Sequence, residues 1–298
     1  MTTDNFRCSD ASLGRSEPMY GTASFVKRWL LIEQPGGWGS DALLESRMPV
    51  RVAKEIRART RSLGIRVVLI RRGARLSTGR RRCFFLRTEN CDSYAAHLSL
   101  DSPLDLLDLD LAPLREGGEV QGAAPLREPV FLVCTHGRHD ACCSIKGNQV
   151  SRVACSIEDA EAWECSHIGG DRFAANLVCF PHGIYYGRVD PEDVPGLMSS
   201  YGEGRLSLAH YRGRCCFTFP LQAAEYFVRR ELQLTDIDGI SLVGSGTSEA
   251  GLHARFTVGD RMAQVQIRVS DVGPHRLTCG AASALPIPHY ELTSIEIG

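Results

Sequence analysis

The sequence predicts a mixed α/β fold of the α+β kind, and three observations lead to this prediction. Short apolar runs alternate with helical patterns, as expected for a sheet that carries helices on its faces. The order strand, helix, strand, strand occurs twice along the chain. The composition, 43% apolar and 23% charged over 298 residues, is that of a globular protein, and this length suits about two domains.

The first occurrence of this order begins near residue 29. The run from Trp29 to Ile32 predicts a short buried strand that enters the Pro-Gly-Gly turn of "EQPGGWG". The stretch "MPVRVAKEIRARTRSLG" predicts a helix, because Val52 and Ile56 share one face, arginines occupy the other, and Gly64 provides a C-terminal stop. The β-rich stretches "IRVVLIRRG" and "RRRCFFLRT" complete the group as two strands.

The second occurrence begins at the apolar run "PVFLVC". A ligand-rich loop follows it, then a predicted helix near 142–154, the strand "AEAWEC" and a Gly-Gly turn. The stretches "ANLVCF" and "IYYGRV" flank Pro181-His182-Gly183, which predicts a hairpin. A β-α-β unit followed by a hairpin is the order of a thioredoxin-like unit. The chain is therefore predicted to hold two such units, the first without cysteines at the corresponding turn.

The remaining segments complete a prediction of four parts. Residues 1–20 are polar with Gly, Ser and Pro, which indicates a flexible arm. A helix at 221–233 and strand-like alternation in "LHARFTV" and "MAQVQIRV" indicate a C-terminal α+β extension. The predicted division is a flexible arm over 1–20, a thioredoxin-like unit without cysteine ligands over 21–125, a ligand-bearing thioredoxin-like unit over 126–220 and the extension over 221–298.

The predicted cellular location of the protein affects how its cysteines are interpreted. No apolar run approaches the ~18 residues of a membrane span, and the first residues lack a basic-then-apolar signal peptide, so we expect a cytoplasmic protein without membrane partners. A reducing compartment favours metal ligation or redox chemistry for clustered thiols over structural disulfides. Six of the twelve cysteines lie between residues 134 and 179. This region is therefore the candidate site.

Charge is distributed unevenly despite a formal net charge of −1. Residues 51–82 carry twelve Lys and Arg against the single acid Glu55. Such a basic face attracts an acidic protein partner or nucleic acid, or is simply solvated. We do not expect nucleic-acid binding, because no zinc-finger, RNP or KH-like motif accompanies the basic region.

Two segments supply the candidate ligands. Their side chains are thiols, one imidazole and one carboxylate: Cys134, Cys142, Cys143, Cys165, His167 and Asp171. A zinc site would use tight C-x2–4-C knuckles and a thiol-redox site would use C-x-x-C, and the segments contain neither spacing. The adjacent cysteines 142 and 143 would close only a strained ring. The longer first spacing favours a [2Fe-2S] cluster.

The motifs "CTHGRHDACC", "SHIGGDRFAANLVCFPHGIYYGRVD" and "RLTCGA" resemble the sucrase/ferredoxin-like family, a branch of the thioredoxin-like [2Fe-2S] ferredoxins. The resemblance runs from about residue 20 to the C-terminus. It implies a C-x8-C pair at Cys134 and Cys143 and an H-x3-H pair that begins at His167. This sequence has Asp171 in place of the second histidine, so the resemblance leaves Asp171 or Cys165 as the fourth ligand. Asp171 has a plainer alternative role, an ion pair with the neighbouring Arg172.

These observations predict a one-electron carrier with a [2Fe-2S] cluster. A reductase or ferredoxin would dock on the basic 51–82 region. Two alternatives stay open: a thiol-based redox enzyme or sensor, and a cofactor-free structural or interaction protein. An electron carrier is favoured over a catalyst, and we expect no glycosidase activity because no paired-carboxylate arrangement is identifiable.

Overall fold

The computed structural model describes residues 5–72, 79–89, 92–249 and 251–298. Within these residues lie six α-helices and fourteen β-strands. The helices are α1 (Cys8–Gly14), α2 (Val50–Leu63), α3 (Ala112–Glu116), α4 (Ala141–Ala154), α5 (Val194–Gly202) and α6 (Phe219–Leu232). The strands are β1 (Arg28–Glu33), β2 (Arg66–Arg71), β3 (Arg81–Glu89), β4 (Asp92–Leu100), β5 (Ala124–Pro125), β6 (Val130–Cys134), β7 (Glu161–Cys165), β8 (Leu177–Phe180), β9 (Ile184–Tyr186), β10 (Tyr211–Arg214), β11 (Ser241–Ser248), β12 (Gly251–Val258), β13 (Arg261–His275) and β14 (Leu285–Ile297).

Ten strands form one sheet in the order β10-β9-β8-β6-β7-β2-β1-β3-β4-β5. Strands β6 and β7 are parallel and joined through α4, while β8 runs antiparallel to β6 and β9 antiparallel to β8. The same arrangement recurs in β1, β2, β3 and β4, where α2 joins the parallel pair. A parallel strand–helix–strand pair with an antiparallel hairpin on its other side is the core of the thioredoxin-like fold. The predicted mixed α/β, thioredoxin-like fold class is confirmed.

Strand β6 shows why the second unit folds as it does. All five of its residues are buried, as expected for a central strand covered on both faces. Phe131 and Val133 belong to the hydrophobic core that includes Val150 of α4. Leu132 and Cys134 point to the opposite core, because successive side chains of a strand alternate between faces. This alternation decides on which side of the sheet the thiol of Cys134 lies.

The two thioredoxin-like groups meet in the middle of the sheet, where β2 pairs antiparallel with β7. Ile70 lies opposite Cys165, and Arg71 lies opposite Glu164. Just beyond β7, the Ser166 backbone N–H donates to the carbonyl of Leu69 at 2.8 Å. The end of β7 is therefore held by β6 on one side and by β2 on the other.

The C-terminal part is a separate four-stranded antiparallel sheet, in the order β11-β12-β13-β14. It packs on α6 through a core that contains Ala224 and Phe227 from the helix and Phe256 and Ile267 from the strands. The helix and strands predicted for this region are confirmed. No helix among the described residues is both long enough and apolar enough to cross a membrane.

The prediction of a flexible arm over residues 1–20 is wrong for its central part. Residues 8–14 form α1, and Cys8 and Ser12 are fully buried. Arg188 donates to the Ser12 hydroxyl at 3.0 Å and to the carbonyl of Glu17 at 2.8 Å. The Ser12 hydroxyl and the Glu17 carbonyl thus serve as buried hydrogen-bond acceptors for Arg188. Residues 1–4 lie outside the described residues.

Candidate metal centre

The centre forms at the carboxyl ends of the parallel strands β6 and β7. Cys134 and Cys165 are register partners at these ends, and both are buried. Cys143 lies in the first turn of α4, which begins directly after the loop that follows β6. Its N-terminus is capped by Asp140, which accepts a hydrogen bond from the Cys142 backbone N–H at 2.8 Å. The ends of neighbouring parallel strands and the start of the connecting helix therefore bring three thiols together.

The second segment reaches the same place through a tight turn. Gly169 and Gly170 have φ values of +97° and +82°, a region that glycine enters without the strain of a Cβ. A Cβ on Gly170 would also overlap the guanidinium of the fully buried Arg212. Arg212 donates to the carbonyl of Gly169 at 3.1 Å and to Asn176 Oδ1 at 2.7 Å. The turn is thereby held so that His167 and Asp171 face the thiols.

The carboxylate of Asp171 lies between the two segments. Cys143 Sγ donates to Asp171 Oδ1 at 3.1 Å, and His167 Nδ1 lies 3.0 Å from the same oxygen. The His167 contact lacks hydrogen-bond alignment, so this buried nitrogen has no hydrogen-bond partner within the described part of the chain. Arg172 instead pairs with Glu17 at 2.6 Å, so the predicted Asp171–Arg172 ion pair is wrong.

Two loop histidines complete the surroundings. The His167 backbone N–H donates to His136 Nδ1 at 3.2 Å, and His136 Nε2 lies 2.7 Å from the carbonyl of Gly39. These contacts fix His136 as the neutral tautomer with its proton on Nε2, and burial lowers the pKa of His136 in agreement. His139 stacks on His167 with ring centroids 3.5 Å apart, and its Nε2 lies 3.5 Å from Asp171 Oδ2.

The pKa values of Cys134, His167 and Asp171 are shifted by their mutual contacts. Hydrogen bonds from the Cys143 and Cys165 thiols lower the pKa of Cys134 well below its usual range against the effect of burial. Burial lowers the pKa of His167, but Asp171 and Cys134 outweigh it and raise the pKa to about 9. Burial raises the pKa of Asp171, while His139 and His167 lower it well below its usual range. The directions of these pKa shifts favour the charged forms of Cys134, Asp171 and His167.

Five of the six sequence-predicted ligand residues meet here: Cys134, Cys143, Cys165, His167 and Asp171. The exception is Cys142, whose thiol lies 3.3 Å from the Cys279 sulfur and 3.2 Å from the Ser9 hydroxyl. Adjacent helix residues point about 100° apart, which explains the separation. His139 was not among the predicted ligands, yet it also joins this group, and its position between Cys134 and Cys143 was a local signal.

A cavity of about 600 Å³ opens beside the centre and includes His139 and His167 in its wall. Arg57, Arg61 and Arg66 also line it, so part of the basic 51–82 region faces the site. Many arginines of that region are not free charges. They form ion pairs with acids from other segments: Arg57–Asp41, Arg71–Glu164, Arg72–Glu161, Arg80–Asp101 and Arg82–Glu161. Residues 73–78 of the region lie outside the described residues.

Comparison with known families agrees with these features. The model of the sucrase/ferredoxin-like family matches residues 19–213 of this chain. The chain belongs to the sucrase/ferredoxin-like family. The family match covers both thioredoxin-like strand groups and ends within β10, so it includes every residue of the centre.

Fungal relatives of this sucrase/ferredoxin-like chain share part of its length. The chain is similar to "Altered inheritance of mitochondria protein 32" from Meyerozyma guilliermondii, 30% identical over 99 residues, which are 30% of this chain and 35% of that protein. The protein of the same name from Debaryomyces hansenii is 34% identical over 95 residues, 28% of this chain and 35% of its own. The matched part thus spans about a third of these relatives. Their names refer to mitochondria, and the cytoplasmic location of this chain stays a prediction.

A solved structure is also similar in part. It is the Cys59Ser variant of the thioredoxin-like [2Fe-2S] ferredoxin from Aquifex aeolicus, 16% identical with a TM-score of 0.25. The match covers 29% of this chain and 99% of the ferredoxin. The thioredoxin-like fold of the present chain is established by its own strand order.

Proposed function

We propose that this chain is a one-electron carrier that holds a [2Fe-2S] cluster on Cys134, Cys143, His167 and Asp171. The observation that carries the proposal is the convergence of buried thiols, an imidazole and a carboxylate at the ends of β6 and β7. His167 Nδ1 makes no aligned hydrogen bond among the described residues, although it lies 3.0 Å from Asp171 Oδ1. It would be available as a ligand atom once His167 loses its proton.

The donor set suits this cofactor. Thiolates and imidazoles are the ligands of known iron–sulfur clusters, and such a cluster would supply a one-electron couple. Cys134 is already biased towards the thiolate by its neighbours. Cys134, Cys143 and Cys165 are each at most 1% exposed, which keeps water away from the centre.

The geometry favours Asp171 over Cys165 as the fourth ligand. The Asp171 carboxylate faces both Cys143 and His167, whereas the Cys165 thiol contacts Cys134 at the sheet. Asp171 therefore lies between the two segments that supply the other ligands.

The protein's own contribution is to position these ligands. His136 holds the backbone of His167, and Arg212 holds the Gly169-Gly170 turn. Both supports are buried and connect the ligand loop to rigid parts of the fold. Such fixed surroundings set ligand orientation and the polarity around a metal centre.

Docking of the electron donor is proposed at the cavity beside His167. Arg61 and Arg66 line this opening, so an acidic reductase or ferredoxin would bring its cofactor close to the exposed histidine edge. The expected signature is a reduction rate that falls with rising salt and with Arg61→Glu, but changes little with Arg230→Glu on the exposed surface of α6. A rate that is independent of salt and of Arg61 would contradict docking at this surface.

The test of the cluster is composition and spectrum. The chain should be purified without oxygen from iron-replete cells, and its iron, acid-labile sulfide and electron paramagnetic resonance signal measured after reduction. Cys134→Ser, Cys143→Ser and His167→Ala should each lose most of the iron. Cys179→Ala is the matched control, because Cys179 is equally buried in the same sheet but belongs to the opposite core.

The fourth ligand is decided by two further variants. Asp171→Ala should lose iron or change the resonance signal strongly, while Cys165→Ser should keep both close to those of the unmodified chain. The reverse result would assign Cys165. Iron-free, colourless protein from this preparation would rule out the cluster, and a disulfide within the three central thiols would then support the thiol-redox alternative.

A further inference from the structure

A second group of thiols lies outside the centre described above. It joins Cys8 of α1, Cys142 of α4 and Cys279 of the loop between β13 and β14, with Asp140 at the cap of α4. The Cys279 sulfur lies 3.3 Å from the Cys142 sulfur and 3.6 Å from the Cys8 sulfur. Cys8 Sγ also lies 3.6 Å from each carboxylate oxygen of Asp140. All four ligand atoms are within 4.8 Å of one another.

These separations are close to those of a tetrahedral metal site. Zinc binds thiolate sulfur at roughly 2.3 Å, so two sulfurs on one zinc ion lie about 3.8 Å apart. The observed sulfur–sulfur distances of 3.3 and 3.6 Å are within about 0.5 Å of that value. Without a metal, three thiols in contact offer one another only weak S–H hydrogen bonds.

Asp140 is oriented as a ligating carboxylate is in known sites. Its Oδ1 accepts from the Cys142 backbone N–H at 2.8 Å, and its Oδ2 accepts from the Cys279 backbone N–H at 2.6 Å. Each oxygen keeps a second lone pair for a cation. Hydrogen bonds of this kind fix the direction of a metal-binding side chain.

We propose that Cys8, Asp140, Cys142 and Cys279 bind a zinc ion with a structural role. Zinc with three thiolates and a carboxylate forms a closed four-ligand site, which is typical of structural zinc. A disulfide would use only two of the three thiols. The ligands of this site differ from those proposed for the cluster, so the inference does not depend on the proposed function.

The zinc site would tie three distant parts of the chain together. Cys8 lies in the N-terminal helix, and Cys279 lies more than a hundred residues beyond α4. Helix α1 packs against the short 3₁₀ helix Asp171–Phe173, and Glu17 beyond α1 pairs with Arg172 of that helix at 2.6 Å. Metal binding of this kind stabilises the folded arrangement directly.

The test measures zinc and iron in the same samples. The full chain, made in medium with both metals and purified without oxygen, is expected to contain one zinc per molecule. Cys8→Ser and Cys279→Ser should each lower the zinc content at least fivefold and leave iron and sulfide unchanged. Cys155→Ser is the control, because Cys155 is exposed and outside both thiol groups. Hydrogen exchange should rise in α1 and around residue 279 only in the first two variants.

A second measurement does not depend on the folding of variants. Cobalt added to zinc-stripped, unmodified protein should give the intense charge-transfer absorption of tetrahedral thiolate ligation, and zinc should abolish it. The proposal is overturned if the chain contains no zinc and cobalt gives no such band. It is also overturned if zinc is lost with Cys134→Ser but kept with Cys8→Ser, or if iron falls together with zinc. A purified chain whose mass shows a Cys142–Cys279 disulfide would overturn it as well.

Discussion

Replacing Asp171 by asparagine in the iron-free protein removes a negative charge from between two histidines and keeps the shape of the side chain. Asp171 lies 3.0 Å from His167 Nδ1 and 3.5 Å from His139 Nε2. The pKa of His167 is raised from 6.5 to about 9, and Asp171 is among the causes that overcome burial. We therefore expect the pKa of His167 to fall towards or below 6.5 in Asp171→Asn, measurable by NMR titration of its ring protons.

The shift gives the size of the stability effect. Each pKa unit corresponds to roughly 1.4 kcal/mol of preferential interaction with the charged form. The rise to about 9 is shared between Asp171 and Cys134, so we assign about 2 kcal/mol of the free energy of unfolding to the Asp171 charge. His167 is mostly buried, with 26% of its side chain exposed, so solvent screening reduces this value only in part.

The sign of the pH dependence follows from the raised pKa. A histidine whose folded pKa is raised contributes its full stability below the unfolded pKa of 6.5, and this contribution is lost as pH rises through about 9. Asp171, whose pKa is lowered, is ionised throughout this range. Urea unfolding should therefore show a difference between the unmodified chain and Asp171→Asn that is largest near pH 6. The difference should shrink to below about 1 kcal/mol near pH 10.

The matched control is Asp238→Asn. Asp238 lies 3.8 Å from His182, but 73% of its side chain is exposed, and exposed pairs contribute little. Its effect should stay below about 1 kcal/mol at both pH values. An equal loss of stability at pH 6 and pH 10 in Asp171→Asn would refute the charge argument and leave only the hydrogen bond from Cys143.

Two further substitutions test the supports of the fold by thermal and urea unfolding. Gly170→Ala should cost at least about 2 kcal/mol, because a Cβ there combines a positive φ with overlap of the buried Arg212 guanidinium. Gly196→Ala in α5, with open space around it, should be neutral or stabilising, and equal effects would contradict the packing argument. Glu225→Gln should cost about 3–5 kcal/mol, because this fully buried carboxylate neutralises two buried arginines at 2.9 Å. The control Glu231→Gln, at an exposed position of α6, should have almost no effect on the free energy of unfolding. If Glu225→Gln also had almost no effect, the ion pairs of Glu225 with the two buried arginines would not be stabilising.

Local patterns in the sequence were sufficient for the elements that carry the centre. The apolar run before Cys134 predicts β6, and Pro181-His182-Gly183 predicts the hairpin that β8 and β9 form. Gly64 ends α2 in the left-handed conformation, as its position predicts. Each of these signals lies within a few residues of the structure it specifies, which is why sequence analysis found them.

Long-range contacts were not predictable in the same way. Strand β4 has many polar and small residues, and it is defined by its pairing with β3, so its pattern gave no prediction. Cys8 lies in a polar segment whose neighbours give no sign of burial. Its partners Asp140 and Cys279 are separated from it by 132 and 271 positions. The second thiol group exists only because the fold brings these three segments together.

In the first thioredoxin-like group, the turn without cysteines, "EQPGGWG", contacts His136 of the second group. The carbonyl of Gly39 in this turn lies 2.7 Å from His136 Nε2, and Trp38 meets the His136 ring edge-on with centroids 6.0 Å apart. The Arg71 guanidinium lies over the Trp38 ring, 4.2 Å from its centroid. His136 in turn holds the backbone of His167, so the turn without ligands supports the ligand loop of the second group. The second group therefore needs the first to keep His136 buried and in one tautomer, which gives a physical reason for both groups to share a single sheet.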